Sequence, residues 1–352
     1  MKRVKRWKLW SGIAFLLVVT IIFAFVSPVP ASILIRLSFS MSIAVAPEDF
    51  KEISNRVTLI RNVSYPSEYK ENFVDIYLPK NNAEPLPVVL WIHGGGFVGG
   101  HKEDVEMYAM ALADEGIAVV CMDYRRAPEA KYPTPIIQTE DAYRWLVEVA
   151  DEYSFDLNHF VLAGDSAGAH IAAQFASIQS NPEYADEMGF EQLVPLHTFR
   201  AILLFCGPFD VADMDESSNP IANFLIGKAA WAYFGTEDWV EQFAFQTTIT
   251  NHITSDFPTT FITDGNVSSF EEHGRELADT LEEYGVLVET YFIPIDTAKA
   301  EHEYQFIMNT DVGKESFDRV VRFLREHVGH FERGIFEDQP HKHKAQISGV
   351  ID

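Results

Sequence analysis

"FVLAGDSAGAH", residues 160–170, decides the fold. Four apolar residues run into Gly164-Asp165-Ser166-Ala167-Gly168, and "AHIAAQFA" follows with helical spacing. A G-x-S-x-G between a strand and a helix is a tight, strained turn. Its two glycines remove side chains that would clash, and the serine hydroxyl stands exposed at the strand end. The helix N-terminus adds positive potential where negative charge would form. Ser166 is therefore the candidate nucleophile.

Working outward, "VVLWIHGGGFVGG", residues 88–100, is a second strand-like run that ends in His93 and a glycine cluster. Ordered glycine costs backbone entropy, so five in eight residues imply a sharp turn or a close approach. Gly94, Gly96 and Gly99 fit the dinucleotide pattern G-x-G-x-x-G, with Asp123 as its acid. That pattern needs a helix directly after the glycines. Here the helix begins near "HKEDVEM" with Glu103 and Asp104 in its first turn, where carboxylates repel a pyrophosphate. The loop also follows the third strand-like run rather than the first. A loop of bare N–H groups for a developing oxyanion fits better.

The surrounding chain supports an α/β layout. "RVTLIRNV", "NFVDIYLP", "PVVLWIH", "IAVVCMDY", "HFVLAG", "AILLFCG", "TTFITDG" and "VLVETYFI" read as strands. Helical segments separate most of the later ones, which predicts a mostly parallel sheet of about eight strands with helices on both faces. Residues 210–255 break the alternation. They are aromatic-rich and predict a helical cap, with Phe224, Trp231 and Phe234 as candidate walls of an apolar substrate pocket.

"HGGGF", "MDYRRAPEAKYPTPIIQTEDAYRWL" and "GDSAG" together resemble the hormone-sensitive-lipase-like group of α/β-hydrolases, closely over residues 72–180 and loosely to about 329. The resemblance implies an α/β-hydrolase fold with oxyanion donors at Gly94, Gly95 and Ala167. It implies a triad in the order serine, acid, histidine. His302, in "PIDTAKAEHEYQF" after the last strand, matches the family's histidine. Zinc-peptidase chemistry fails there, because H-E-x-x-H needs a second histidine where Phe306 stands. The acid departs from the family pattern. Its usual positions hold Asn266 and Val267, which leaves Asp264 at the strand end, with Glu271 or Glu272 as alternatives. Asp165 is expected to make structural hydrogen bonds, His93 to hold the glycine loop through the backbone, and Asp123 to pair with Arg125.

The expected chemistry is ester hydrolysis through an acyl-enzyme, with no metal or organic cofactor and an ester substrate with an apolar acyl group as partner. An amidase or deacetylase acting on cell-surface material would use the same residues. A catalytically silent, membrane-anchored binding protein is a further alternative, supported by the irregular acid loop. The formal charge of −25 argues against nucleic acid. Cys121 and Cys206 each end an apolar run and read as buried thiols rather than a disulfide.

The N-terminus stands apart. "MKRVKRWK" carries five basic residues, and the uncharged residues 9–26 are about long enough to cross a bilayer. The expectation for residues 1–30 is a single-pass anchor with the catalytic domain outside, the alternative being a cleaved signal and a secreted enzyme. Residues 31–55 form a linker or possible cap helix. The hydrolase domain spans 56–332, and 333–352 is a polar tail in which His341 and His343 could bind metal weakly.

Overall fold

The computed structural model describes residues 2–39, 44–80, 85–214, 220–329 and 331, without the side chains of 2–9, 16, 17, 20, 21 and 39. The polar tail with His341 and His343 lies outside the described residues.

Three helices precede the sheet: α1 (Lys2–Val26), α2 (Val29–Phe39) and α3 (Phe50–Arg56). The sheet has eight strands: β1 (Val57–Ser64), β2 (Phe73–Pro79), β3 (Leu86–Ile92), β4 (Ala118–Met122), β5 (Phe155–Asp165), β6 (Phe199–Phe205), β7 (Thr259–Asp264) and β8 (Val288–Phe292). Their spatial order is β1-β2-β4-β3-β5-β6-β7-β8. β2 is antiparallel to both its neighbours, and every pair from β4 onward is parallel. Helices cross between the parallel strands: α4 (Glu106–Asp114), α5 (Thr134–Tyr153), α6 (Ala167–Ser180), α7 (Pro182–Met188), α8 (Pro220–Phe234), α9 (Trp239–Thr247) and α10 (Glu271–Glu283); α11 (Asp311–His327) follows β8.

The central strands read as unbroken apolar runs because both faces of the sheet are covered. Alternate residues serve opposite cores. Val88, Leu90 and Ile92 of β3 join Phe160 and Leu162 of β5 under α5, α6 and α10. Val89 and Trp91 join Val161, Ala163 and Phe205 on the face covered by α4 and α11. A one-residue slip of β3 would exchange these sets, so burial on both sides fixes the register that delivers β3 and β5 to the same edge.

α8 and α9 form the cap. Phe234 stacks on Trp239 and Phe243, with ring centroids 5.8 and 5.2 Å apart, and Tyr132 packs edge-on to Phe243. Polar contacts tie the cap to the body: His170 Nε2 lies 2.9 Å from the Thr247 carbonyl, and Tyr184 donates to the Gln246 carbonyl at 2.6 Å. α2 packs against α8. Among the described residues no helix is long and apolar enough to cross a membrane. The two cysteines are free and buried.

Candidate active site

β5 ends at Asp165, α6 starts at Ala167, and Ser166 sits between them with φ 51° and ψ −121°. A non-glycine residue there holds strain of about 1–3 kcal/mol, which the surrounding structure must impose. The glycines show how. A Cβ on Gly164 would lie 2.4 Å from the Gly168 carbonyl oxygen, and one on Gly168 would lie 2.1 Å from that of Ile92. Strand, turn and helix are thus in backbone contact, and Ser166 N–H is held by the Phe205 carbonyl at 2.7 Å.

His302 lies in the loop after β8, and its Nε2 is 3.0 Å from Ser166 Oγ. On its other side Nδ1 is 2.7 Å from Ser269 Oγ, and the Ser269 hydroxyl donates to Asp264 Oδ1. A hydroxyl has one proton to give. If Ser269 gives it to Asp264, its oxygen accepts the Nδ1 proton, and Nε2 is left bare to accept from Ser166. Burial pulls the imidazole down to about 4, which keeps it neutral. Burial likewise pushes Asp264 up to about 7, offset in part by the Ser269 hydroxyl. Asp264 Oδ2 has no partner among the described residues.

Asp264, expected to touch the histidine, reaches it instead through Ser269. The alternatives do not reach it. Glu271 bonds to Arg275 at 2.6 Å within α10, and Glu272 lines a neighbouring cleft. Asn266 and Val267, where the resembled family carries its acid, stitch two loops together. Asn266 donates to the carbonyls of Ile293 and Ala298 at 2.7 and 2.8 Å, and Val267 N–H bonds the Ala300 carbonyl at 3.0 Å.

The glycine loop requires a correction. The Gly94 amide donates to Asp165 Oδ2 at 2.8 Å, so it is occupied and does not serve as an oxyanion donor. Asp165 Oδ1 accepts the Trp91 indole N–H at 2.7 Å. Asp165 therefore clamps the start of the loop. Gly95 and Gly96 follow with φ of +115° and +58°, and their amides, like that of Ala167, have no hydrogen-bond partner among the described residues. A Cβ on Gly95 would fall 2.4 Å from the Gly99 backbone, so this hairpin of backbone admits no side chain. His93 Nδ1 lies 2.6 Å from the Gly94 carbonyl while its ring stacks on Tyr124.

Two further expectations change. Asp123 does not pair with Arg125. It accepts the Lys102 amide at 2.9 Å and faces the buried Lys102 ammonium at 3.6 Å, while Arg125 pairs with Glu71 at 2.9 Å. The short turn Lys102–Val105 carries Glu103 and Asp104 in its first turn, where the dinucleotide pattern needs N–H donors free of nearby carboxylates. The aromatic cap residues make contacts of their own. Phe224 packs on Phe25, Trp231 under the Lys228 ammonium, and Phe234 in the cap's own core. The cleft of about 580 Å³ bordering Ser269 takes Ala222 and Ile226 from α8 and is also lined by Met214, Phe270, Asp213 and His273.

Sequence reasoning missed Ser269 and Glu303. A serine in a polar loop carries no signal until the loop is folded. Glu303, next to His302 at φ 59°, turns its carboxyl down to Asp165. Burial and the Asp165 charge hold its proton well above the usual carboxylate range. Donor atoms of Cys206, Asp264 and His302 lie within 4.8 Å of one another, as do those of His101, Glu103 and Asp123. Both sets are already engaged: Asp264 and His302 in the chain to Ser166, Cys206 with Gln305 and the Glu303 amide, and the second set around Lys102.

A nucleophile after β5 and a histidine after β8, on an eight-stranded sheet with a helical cap, define the α/β-hydrolases. Within that class the chain belongs to the BD-FAE family, whose model matches residues 74–271. It is 35% identical over 115 residues to a probable isoprenylcysteine alpha-carbonyl methylesterase of Oryza sativa, covering 33% of this chain and 28% of that protein. It is 41% identical over 107 residues to carboxylesterase NlhH of Mycobacterium tuberculosis, covering 30% and 33%. The matched stretches thus span about a third or less of these relatives' own length. Esterase B of Lactobacillus rhamnosis has the same fold, with TM-score 0.71 at 20% identity, over 85% of this chain and 95% of that one.

Proposed function

We propose that the protein is a serine carboxylesterase working through an acyl-enzyme. The observation that carries this is the 3.0 Å contact between Ser166 Oγ, on its strained turn, and Nε2 of His302. His302 takes the Ser166 proton as Oγ attacks the ester carbonyl. The free amides of Gly95, Gly96 and Ala167 receive the oxyanion, Gly96 replacing the occupied Gly94. The imidazolium returns its proton to the leaving alkoxide, and water, activated by the same nitrogen, releases the acid. The esterase names among the relatives support this assignment.

The test is hydrolysis of p-nitrophenyl esters from acetate to long acyl chains. Wild type is expected to turn over the short esters and Ser166→Ala to lose at least a thousandfold in kcat. A folded wild type inert toward the whole series and toward a fluorophosphonate probe would overturn the proposal.

The same proposal places the enzyme on a membrane through its N-terminus, with the catalytic domain outside. Its support is the five basic residues before an uncharged run, in a chain that is otherwise strongly acidic, and the exposed Trp10, Phe15, Phe25 and Leu34 of α1 and α2. Anchoring predicts full-length protein in carbonate-washed membranes. Recovery of a shortened, soluble form would mean a cleaved signal.

A further inference from the structure

We propose that Ser269 is a positioning residue that couples Asp264 to His302, so that the base is oriented by a Ser166–His302–Ser269–Asp264 chain. The inference rests on the esterase assignment above and concerns how its base is held.

The geometry leaves Asp264 no direct route. The structure contains no hydrogen bond between Asp264 and His302, although their polar atoms come within 4.8 Å. That gap is filled by one hydroxyl, bonded on both sides. With Asp264 ionised, donor count sets the direction of the chain. Asp264, when ionised, only accepts; Ser269 gives it its single proton; the Ser269 oxygen must then accept from Nδ1. Reversing one link would put the proton on Nε2, where it would face the Ser166 hydroxyl and block proton transfer.

The loop that carries Ser269 is built to hold this position. Ser268, just before it, takes φ 51°. Gly265 runs so close to the histidine loop that a Cβ would lie 2.3 Å from the Glu301 carbonyl oxygen. Asn266 Oδ1 accepts the Ala300 amide at 3.0 Å, two residues before His302. Phe270 sets its ring edge-on to the imidazole at 5.7 Å. The acid has moved back to the strand end, Asn266 and Val267 join the loops, and Ser269 spans the distance that results.

The experiment uses the full chain with Ser269→Ala, Ser269→Thr, Asp264→Asn and the double variant Ser269→Ala/Asp264→Asn. Steady-state kinetics on p-nitrophenyl acetate are combined with 15N NMR of the His302 side chain. Ser269→Ala is expected to lower kcat about a hundredfold or more with KM within twofold, the signature of an oriented base rather than of binding. Asp264→Asn should cost a similar factor, and the double variant no more than the larger single loss, because one chain is broken in either case. Ser269→Thr, which keeps the hydroxyl, should retain activity within about tenfold. The nitrogen spectrum should show the Nδ1–H tautomer in wild type and Ser269→Thr, and a mixed population in Ser269→Ala. This readout holds even if the enzyme proves inert toward esters, so it separates failure of the chain from failure of the esterase assignment. Ser269→Ala within threefold of wild type, losses that multiply in the double variant, or an unchanged tautomer would each overturn the proposal. Should Ser269→Ala fail to fold, the tautomer in wild type and Ser269→Thr decides, an Nε2–H form overturning it.

Discussion

Asp165→Asn tests the floor of the active site. Asp165 is buried and accepts two N–H donors, from Trp91 at 2.7 Å and Gly94 at 2.8 Å, one on each oxygen. An asparagine of the same shape has one acceptor oxygen and one donor nitrogen. Whichever way the amide turns, one N–H faces another. The loss is one hydrogen bond to a charged acceptor and a buried donor left without a partner, together about 2–4 kcal/mol of stability. The Gly94 contact also sets the glycine loop. If about half of the loss is felt in the transition state, kcat falls about fivefold to thirtyfold. A second effect has a definite sign. The Asp165 charge is among the causes that hold the Glu303 proton in place, so Glu303 ionises at lower pH in the variant. Its Oε1 lies 3.9 Å from His302 Nε2. A carboxylate there favours the imidazolium, while catalysis needs the neutral ring, so the acid limb of kcat/KM moves to higher pH. Urea melts and a pH series of kcat/KM read both effects. A variant with wild-type stability and kcat, or an acid limb displaced to lower pH, would refute the reasoning.

Three other outcomes follow from the packing. Gly168→Ala is expected to yield little folded protein, because its Cβ would meet backbone oxygens of Ile92 and His93 at 2.1 and 2.6 Å, and neither can move without unpairing β3; a wild-type melting temperature would contradict this. Lys102→Met removes a buried ammonium lying 3.3 Å from buried Asp75, 2.6 Å from Glu103 and 3.6 Å from Asp123. Stranding these carboxylates should cost about 3–5 kcal/mol, toward the lower end because Arg61 and the Asn62 amide also hold Asp75, and a urea melt within 1 kcal/mol of wild type would exclude it. Arg36 of α2 donates to the Val98 and Ala127 carbonyls and to Glu129, pinning that helix over the glycine loop. Arg36→Ala should therefore speed proteolytic removal of the N-terminal helices while leaving the melt of the sheet domain in place, and equal cleavage rates would show that α2 is held by other contacts.

The sequence by itself determined the fold class and singled out the serine and the histidine that the structure brings to 3.0 Å of each other. Period and length marked every strand: the central ones because a sheet covered on both faces selects apolar runs, the edge strands β1 and β8 by their alternation. Ser166 was legible because a strained turn in backbone contact leaves only glycine on either side of the nucleophile. His302 was legible from its place after the last strand. What lies between them was decided by tertiary structure. Whether Asp264 touches His302 depends on a gap between two loops that are adjacent in space but 33 residues apart in sequence for the Ser269–His302 pair. Which glycine amide stays free depends on Asp165 arriving under the loop from another strand. The cap's aromatic residues showed the same limit: composition places them in a helix, but only packing assigns Phe234 to the cap core and leaves Ala222 and Ile226 beside the cleft. Local backbone chemistry is written residue by residue, whereas hydrogen-bond partners across loops exist only once the chain has brought them together.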